Sequence, residues 1–206
     1  MTDAAVPTTP APLGESIPAT LESPTPPTQL LMHLPDLDGD PLTPPLAEGY
    51  ELRLATPEDE VALAEMLSIA FPELGEWTVQ TVRERLTQAD DVDAVYVIAF
   101  EGKPVATASS RHDHDRFPGQ GYVHWVGVLP GHRGQNLASA LMDQLVVDFR
   151  ARGYRDAVLE TDDFRLPAVR TYLKHGYVPV TEDVKGENHL KRWSVVLPQV
   201  MTPRRG

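Results

Sequence analysis

The chain has 206 residues, 41% of them hydrophobic, a formal net charge of −12 and no cysteine. That is enough apolar material for one packed domain with an extension, and it excludes disulfides, thiolate metal sites and a cysteine nucleophile. No apolar run is long enough to span a bilayer, no basic stripe suits nucleic acid and no secretory-signal pattern opens the sequence, so a cytoplasmic protein with neither membrane nor nucleic-acid partners is expected.

In chain order, residues 1–48 come first and stand apart. They carry seven acidic side chains, no Lys or Arg, and eleven of the 20 prolines. Residues 1–28 are Pro/Thr/Ser-rich and too poor in large apolar groups to offset their ordering entropy, so disorder is expected there. Residues 29–48 cluster Leu30, Leu31, Met32, Leu34 and Leu37. This segment is expected to dock on the folded domain in an extended or single-turn form; the alternative is a partner-binding motif in a loose tail. The acidity belongs mostly to this extension and does not by itself call for a cationic partner.

A regular domain is expected over residues 49–198. "YELRLAT" alternates as a strand. Thr56 and Pro57 then open a helix with acids in its first turn and a stripe of Val61, Leu63, Ala64, Leu67 and Ala70. "TVQTVRERLTQ" reads as a second helix. "AVYVIAFEGKPVATASSR" is a hairpin about "EGKP", and "DHDRFPGQG" a loop. "YVHWVGV" is a central strand buried on both faces. A long helix follows, from about Asn136 to Arg152, with Leu137, Leu141, Leu145 and Phe149 on one stripe. "DAVLET" is a strand, "RLPAVRTYLKHG" a helix, "YVPV" a strand and "RWSVVLPQV" a last strand. Residues 199–206 are a frayed tail. The order is α/β with a mixed, mostly antiparallel sheet flanked by helices.

The informative junction is "VGVLPGHRGQNLASAL", where a β-branched run meets a helix across a basic, glycine-containing turn. The first N–H groups of a helix lack intrahelical partners and sit at the positive end of its dipole. A phosphate binds there if the backbone can approach it. Gly131, Gly134 and Ala138 permit that approach, and Asn136 tolerates a left-handed backbone. The turn is neither a P-loop nor the dinucleotide fingerprint.

Arg133-Gly134-Gln135-Asn136-Leu137-Ala138 resembles the acyl-CoA pyrophosphate loop of the GNAT superfamily of N-acetyltransferases, Gln/Arg-x-x-Gly-x-Gly/Ala, with Asn136 where glycine is usual. Two further stretches share the resemblance. Val126-Gly127-Val128 ends the strand before the loop, where the family bonds the pantetheine arm through main-chain groups. Ala168, Tyr172, Gly176 and Tyr177 follow the closing pattern Ala-x-x-x-Tyr-x-x-x-Gly-Phe. Arg165 stands where the family often has a cofactor-seating Asn. The resemblance covers about three-quarters of the chain, residues 49 to 197, and is greatest to small bacterial acyltransferases. It implies a GNAT-like fold, acetyl-CoA as co-substrate, no metal, a small-molecule amine acceptor and direct attack by that amine, and it leaves room for a homodimer. The alternatives are a non-catalytic CoA-binding scaffold on this fold and a peptide or protein N-acetyltransferase.

The resemblance makes Tyr172 the expected general acid for the leaving thiolate and the backbone N–H of Val126 the oxyanion donor. Strand alternation puts Tyr122, His124, Val126 and Val128 on one face, which makes His124 the first candidate for the base. Glu160, at the end of the neighbouring strand, is the second. "SRHDHDR" (residues 110–116) reads as a substrate-site loop rather than a metal site, and Asp162 or Asp163 as an N-cap.

Overall fold

The computed structural model describes residues 28–182 and 185–202. Of the disorder expected over residues 1–28 and the tail expected over 199–206, residues 1–27 and 203–206 lie outside the described residues, while Thr28 is placed and accepts from Arg192 through its carbonyl. Seven strands form one sheet in the order β2-β3-β4-β5-β6-β1-β7. They are β1 (Leu30–Leu34), β2 (Tyr50–Leu54), β3 (Val92–Phe100), β4 (Lys103–Arg111), β5 (Gly121–Val128), β6 (Ala157–Thr161) and β7 (Val178–Pro179). Every pairing is antiparallel except β5 with β6. The helices are α1 (Glu60–Ala70), α2 (Val79–Val82), α3 (Leu137–Ala151), α4 (Leu166–Lys174) and α5 (Leu190–Met201). No described helix is long and apolar enough to cross a membrane.

The sheet divides two cores. On one face α3, α4 and α5 pack through Leu137, Leu141, Leu145, Phe149, Val169, Tyr172, Trp193 and Val196. On the other, α1 and α2 contribute Leu63, Met66, Leu67, Trp77, Val82 and Leu86. The turn between β3 and β4 needs two left-handed residues, supplied by Glu101 (φ 50) and Gly102 (φ 82), the backbone of a tight two-residue hairpin. A π-helical turn, Arg83–Thr87, continues α2. It carries Arg85 outward while keeping Leu86 in the core.

The leucine-rich segment is a full member of the sheet. β1 lies between β6 and β7, with Leu31 opposite Glu160 and Met32 opposite both Leu159 and Pro179. Its Leu30 and Met32 are fully buried, which removes the loose-tail alternative for these residues. The following stretch straps across α3: Asp143 accepts from the backbone N–H groups of Leu42 (3.2 Å) and Thr43 (2.9 Å), and Arg150 donates to the Gly39 carbonyl at 2.6 Å.

"RWSVVLPQV" is not a strand. It lies in α5, which buries Trp193, Val196 and Val200 at helical spacing. The place beside β6 is taken by β1, so this stretch covers the α4 face instead. Trp193 Nε1 donates to the Val180 carbonyl at 2.9 Å. The helix runs to Met201, so the expected tail begins as helix; Arg170 donates to the carbonyls of Gln199 and Val200. Gly121 touches α3 closely, and a Cβ there would lie 2.4 Å from Phe149 Cδ1. Gly121→Ala is therefore expected to lower stability by about 1–3 kcal/mol, read as a fall in denaturant midpoint at unchanged slope.

Candidate functional site

β5 keeps β6 as a neighbour for only three residues. Gly121, Tyr122 and Val123 face Ala157, Val158 and Leu159, and the pairing ends there. Glu160 and Thr161 continue β6, paired on their other side with Leu31 and Leu30. Across β5, Ser109 faces His124 and Thr107 faces Gly127. Two β5 residues, Trp125 and Val126, thus oppose Ala108 alone. This is a β-bulge, with Trp125 at φ 50 and the Ser109 hydroxyl donating to the His124 carbonyl at 3.0 Å. Past the bulge, the β6 side of the strand has no strand partner among the described residues.

The bulge corrects the expected face. An extra residue shifts the alternation, so Tyr122, His124, Val126 and Val128 do not share one side. Val123, Val126 and Val128 pack with the α3 core. Trp125 joins the α1 core, and a Cβ on Gly127 would meet Ala70 at 3.2 Å and Phe71 at 3.6 Å. His124 lies against Trp125 and Tyr122, with ring centroids 4.5 and 5.5 Å away.

β5 runs into the turn that precedes α3. Gly134 (φ 83) and Asn136 (φ 59, ψ 18) are both left-handed, and Asn136 is the N-cap. The first intrahelical bond there runs from Ala140 N–H to the Asn136 carbonyl, so the first-turn amides have no helical acceptor. Arg133, Gly134, Gln135 and Asn136 are exposed, Ala138 is half-buried, and Leu137 anchors the turn in the core. His132 is held by the Tyr50 hydroxyl through Nδ1 at 2.9 Å.

The α1 side of the opening is lined with aromatic rings and arginines. Tyr122 donates to Glu160 Oε2 at 2.6 Å, and Arg116 Nη1 reaches both Glu160 oxygens at 3.0 Å. Arg116 Nε also donates to Asp113 at 2.7 Å. Burial, then the Glu160 carboxylate, pushes the Tyr122 hydroxyl well above its ordinary range. Arg111 pairs with Asp91 and lies 3.4 Å from His124 Nε2. Burial, followed by the Arg111 charge, pushes His124 down to about 3 despite Asp91, so its ring is neutral near pH 7.

The second candidate base, Glu160, is therefore a carboxylate held by Tyr122 and Arg116, and the first is uncharged. The loop read as "SRHDHDR" delivers Arg111 and Arg116 to these two residues. His112 and His114 within it stack on one another at 4.6 Å, and among the described residues no group of three metal-ligating side chains is placed to hold an ion. Asp162 and Asp163 do not cap α4. They pair with Arg165 (3.0 Å) and Arg192 (3.1 Å), because the N-cap position belongs to Arg165. Arg165 crosses to the end of α1, where it lies over the Phe71 ring and ion-pairs with Glu73. Tyr172 is buried on α4, 6.2 Å from the Tyr177 ring, and burial pushes its hydroxyl up to about 12.

Residues 61–177, more than half of the chain, match the Acetyltransferase (GNAT) family. The chain belongs to the GNAT acetyltransferase family. A mycothiol acetyltransferase from Actinosynnema mirum is 35% identical over 159 residues, covering 73% of this chain and 52% of that protein. One from Stackebrandtia nassauensis is 33% identical over 171 residues, covering 76% and 52%. The chain thus spans about half the length of the curated relatives it matches. A GCN5-related N-acetyltransferase from Sphaerobacter thermophilus shares the fold at a TM-score of 0.58 and 24% identity, over 75% of this chain and 50% of that one. The ribosomal-protein-S18-alanine N-acetyltransferase of Escherichia coli does so at 0.53 and 18%, over 68% and 88%.

Within this GNAT domain, Asn136 adopts the left-handed backbone that glycine would supply at the loop position where glycine is usual. A β-branched residue cannot do so without strain. Asn136→Val is expected to cost about 1–2 kcal/mol of stability and Asn136→Gly to stay near the parent, as measured by thermal melts of the three proteins.

Proposed function

We propose that the chain transfers an acetyl group from acetyl-CoA to the primary amine of a small molecule by direct attack. The observation that carries this reading is the free β6-side edge of β5, which runs straight into the open N-terminus of α3. An extended amide-bearing arm adds to such an edge as a strand would, and a pyrophosphate suits the helix end. Val126, Gly127 and Val128 would take the arm. The amides from Gly134 to Ala138, with Arg133 beside them, would take the phosphates. The relatives named mycothiol acetyltransferase make a small-molecule acceptor the natural class.

The acceptor nitrogen attacks the thioester carbonyl carbon, the C–S bond breaks, and the sulfur leaves as thiolate. Val126 N–H stabilises the oxygen as charge develops on it. Tyr172, protonated throughout the neutral range, donates its proton to the leaving sulfur. The proton lost by the amine passes to Glu160, which Tyr122 and Arg116 hold in place. His124 is too weak a base for that role, and it lines the acceptor side as a neutral group. Arg165 holds the mouth by joining the start of α4 to the end of α1; this is how it serves the cofactor end of the site in place of an amide side chain.

The test is acetyl-CoA-dependent thiol release over a panel of primary amines, with acetyl-CoA binding measured in parallel. Tyr172→Phe is expected to lower kcat by about 100-fold or more, with acetyl-CoA affinity held to within about threefold. Retained turnover removes Tyr172 from the mechanism, and binding without thiol release for any amine favours a scaffold instead. His124→Ala is expected to leave the shape of the pH–rate profile between about pH 5 and 9 unchanged, because a ring depressed this far is already neutral across that window.

A further inference from the structure

Among the described residues, three side-chain donors beside Glu160 and Tyr122 have no protein acceptor, two of them buried and one exposed. Arg111 Nη1 faces His124 Nε2 at 3.4 Å. A guanidinium only donates, so Nε2 accepts and the ring proton of the neutral histidine sits on Nδ1. That atom is buried and has no partner among the described residues. The next residue repeats the situation: Trp125 Nε1 is also buried without a partner. Its backbone is left-handed at φ 50, a conformation a tryptophan adopts only where the surroundings impose it. The third donor is Arg85. Its guanidinium lies over the Trp77 ring at 5.4 Å and forms no salt bridge among the described residues.

The rings that carry or hold these donors form one chain from Arg85 to His124. Trp77 meets Trp125 at 4.7 Å, and Trp125 meets His124 at 4.5 Å. Three carboxylates of this region are engaged, Asp91 by Arg111 and both Asp113 and Glu160 by Arg116. A buried donor left unpaired is costly, and native proteins rarely leave two such groups side by side. A set that only donates, next to an unengaged cation, complements a group that only accepts.

Resting on the acetyl-transfer reading above, we infer that the acceptor amine carries a carboxylate, received by Arg85 together with the Trp125 and His124 ring N–H groups. The substrate class is a small amino carboxylate. The aromatic wall of Trp77 and Trp125 packs its side chain, and the amine is presented toward Glu160.

The experiment compares three amines on one skeleton: phenylalanine, phenylalaninamide and phenethylamine, with the corresponding leucine series beside them. Thiol release from acetyl-CoA is measured, with kcat/KM referred to the neutral-amine fraction of each compound. In at least one series the carboxylate is expected to exceed both partners by about tenfold or more. Arg85→Gln, a change on an exposed side chain, is expected to erase most of that advantage through KM. Equal or better use of the amide or the simple amine in both series overturns the inference while leaving acetyl transfer standing. So does an Arg85→Gln loss that is the same for all three amines. Acetyl-CoA binding with no thiol release from any amine removes the transfer reading itself, and this inference with it.

Discussion

The site depends on one extra residue in β5. A regular β5 would stay paired with β6 to its end, and the sheet would have no opening. The bulge at Trp125 and Val126 turns the strand after three parallel pairs, and three consequences follow together. The edge beyond Val123 is freed, the valines are handed to the α3 core, and His124 and Trp125 are delivered side by side to the α1 face. The Ser109 hydroxyl, bonded to the His124 carbonyl, satisfies a backbone group that the irregularity would otherwise strand. The local cost of a left-handed tryptophan is thereby confined to one residue.

On that frame the two faces have separate tasks. The α3 face holds the helix whose open N-terminus follows β5, and it buries Tyr172, where burial keeps the hydroxyl protonated. The α1 face gathers arginines against aromatic rings: Arg85 on Trp77, Arg111 and Arg116 on Tyr122, Arg165 on Phe71. Planar, weakly hydrated guanidiniums stack this way more readily than lysine does. The result is a wall of arginines, three of which are balanced by carboxylates. Burial first, and then the Arg111 charge, keeps His124 neutral, although its ring would titrate near pH 6.5 in water.

Much of this was legible in the residues. The stripe Leu137, Leu141, Leu145, Phe149 specified α3, and the turn before it announced itself through Gly134 and Asn136, because helix-start chemistry is local. The bulge was not legible: "YVHWVGV" alternates well enough to hide one extra residue, and only the partner strand reveals it. The grouping of Tyr122, Arg116 and Glu160 was hidden for the same reason, since it joins a loop and two strands through tertiary contact. "RWSVVLPQV" misleads because paired valines favour strands, while Trp193, Val196 and Val200 carry a helical period that packing against α4 rewards. The leucines of β1 signalled burial but not their position, which is set by the open side of β6.

That position has a consequence for how the molecule is made. β1 pairs with β6, about 130 residues later, and with β7, later still. It is the first described strand in the chain and has no lateral partner until almost the whole domain exists. Pairing over such separation carries a loop-closure cost that local hairpins such as β3–β4 avoid. The sheet from β2 to β5 is built from pairings closer in sequence, whereas Glu160 is paired with Leu31 across a far longer separation. The contacts of greatest sequence separation in this sheet thus belong to one of its earliest strands, and Glu160 lies among them.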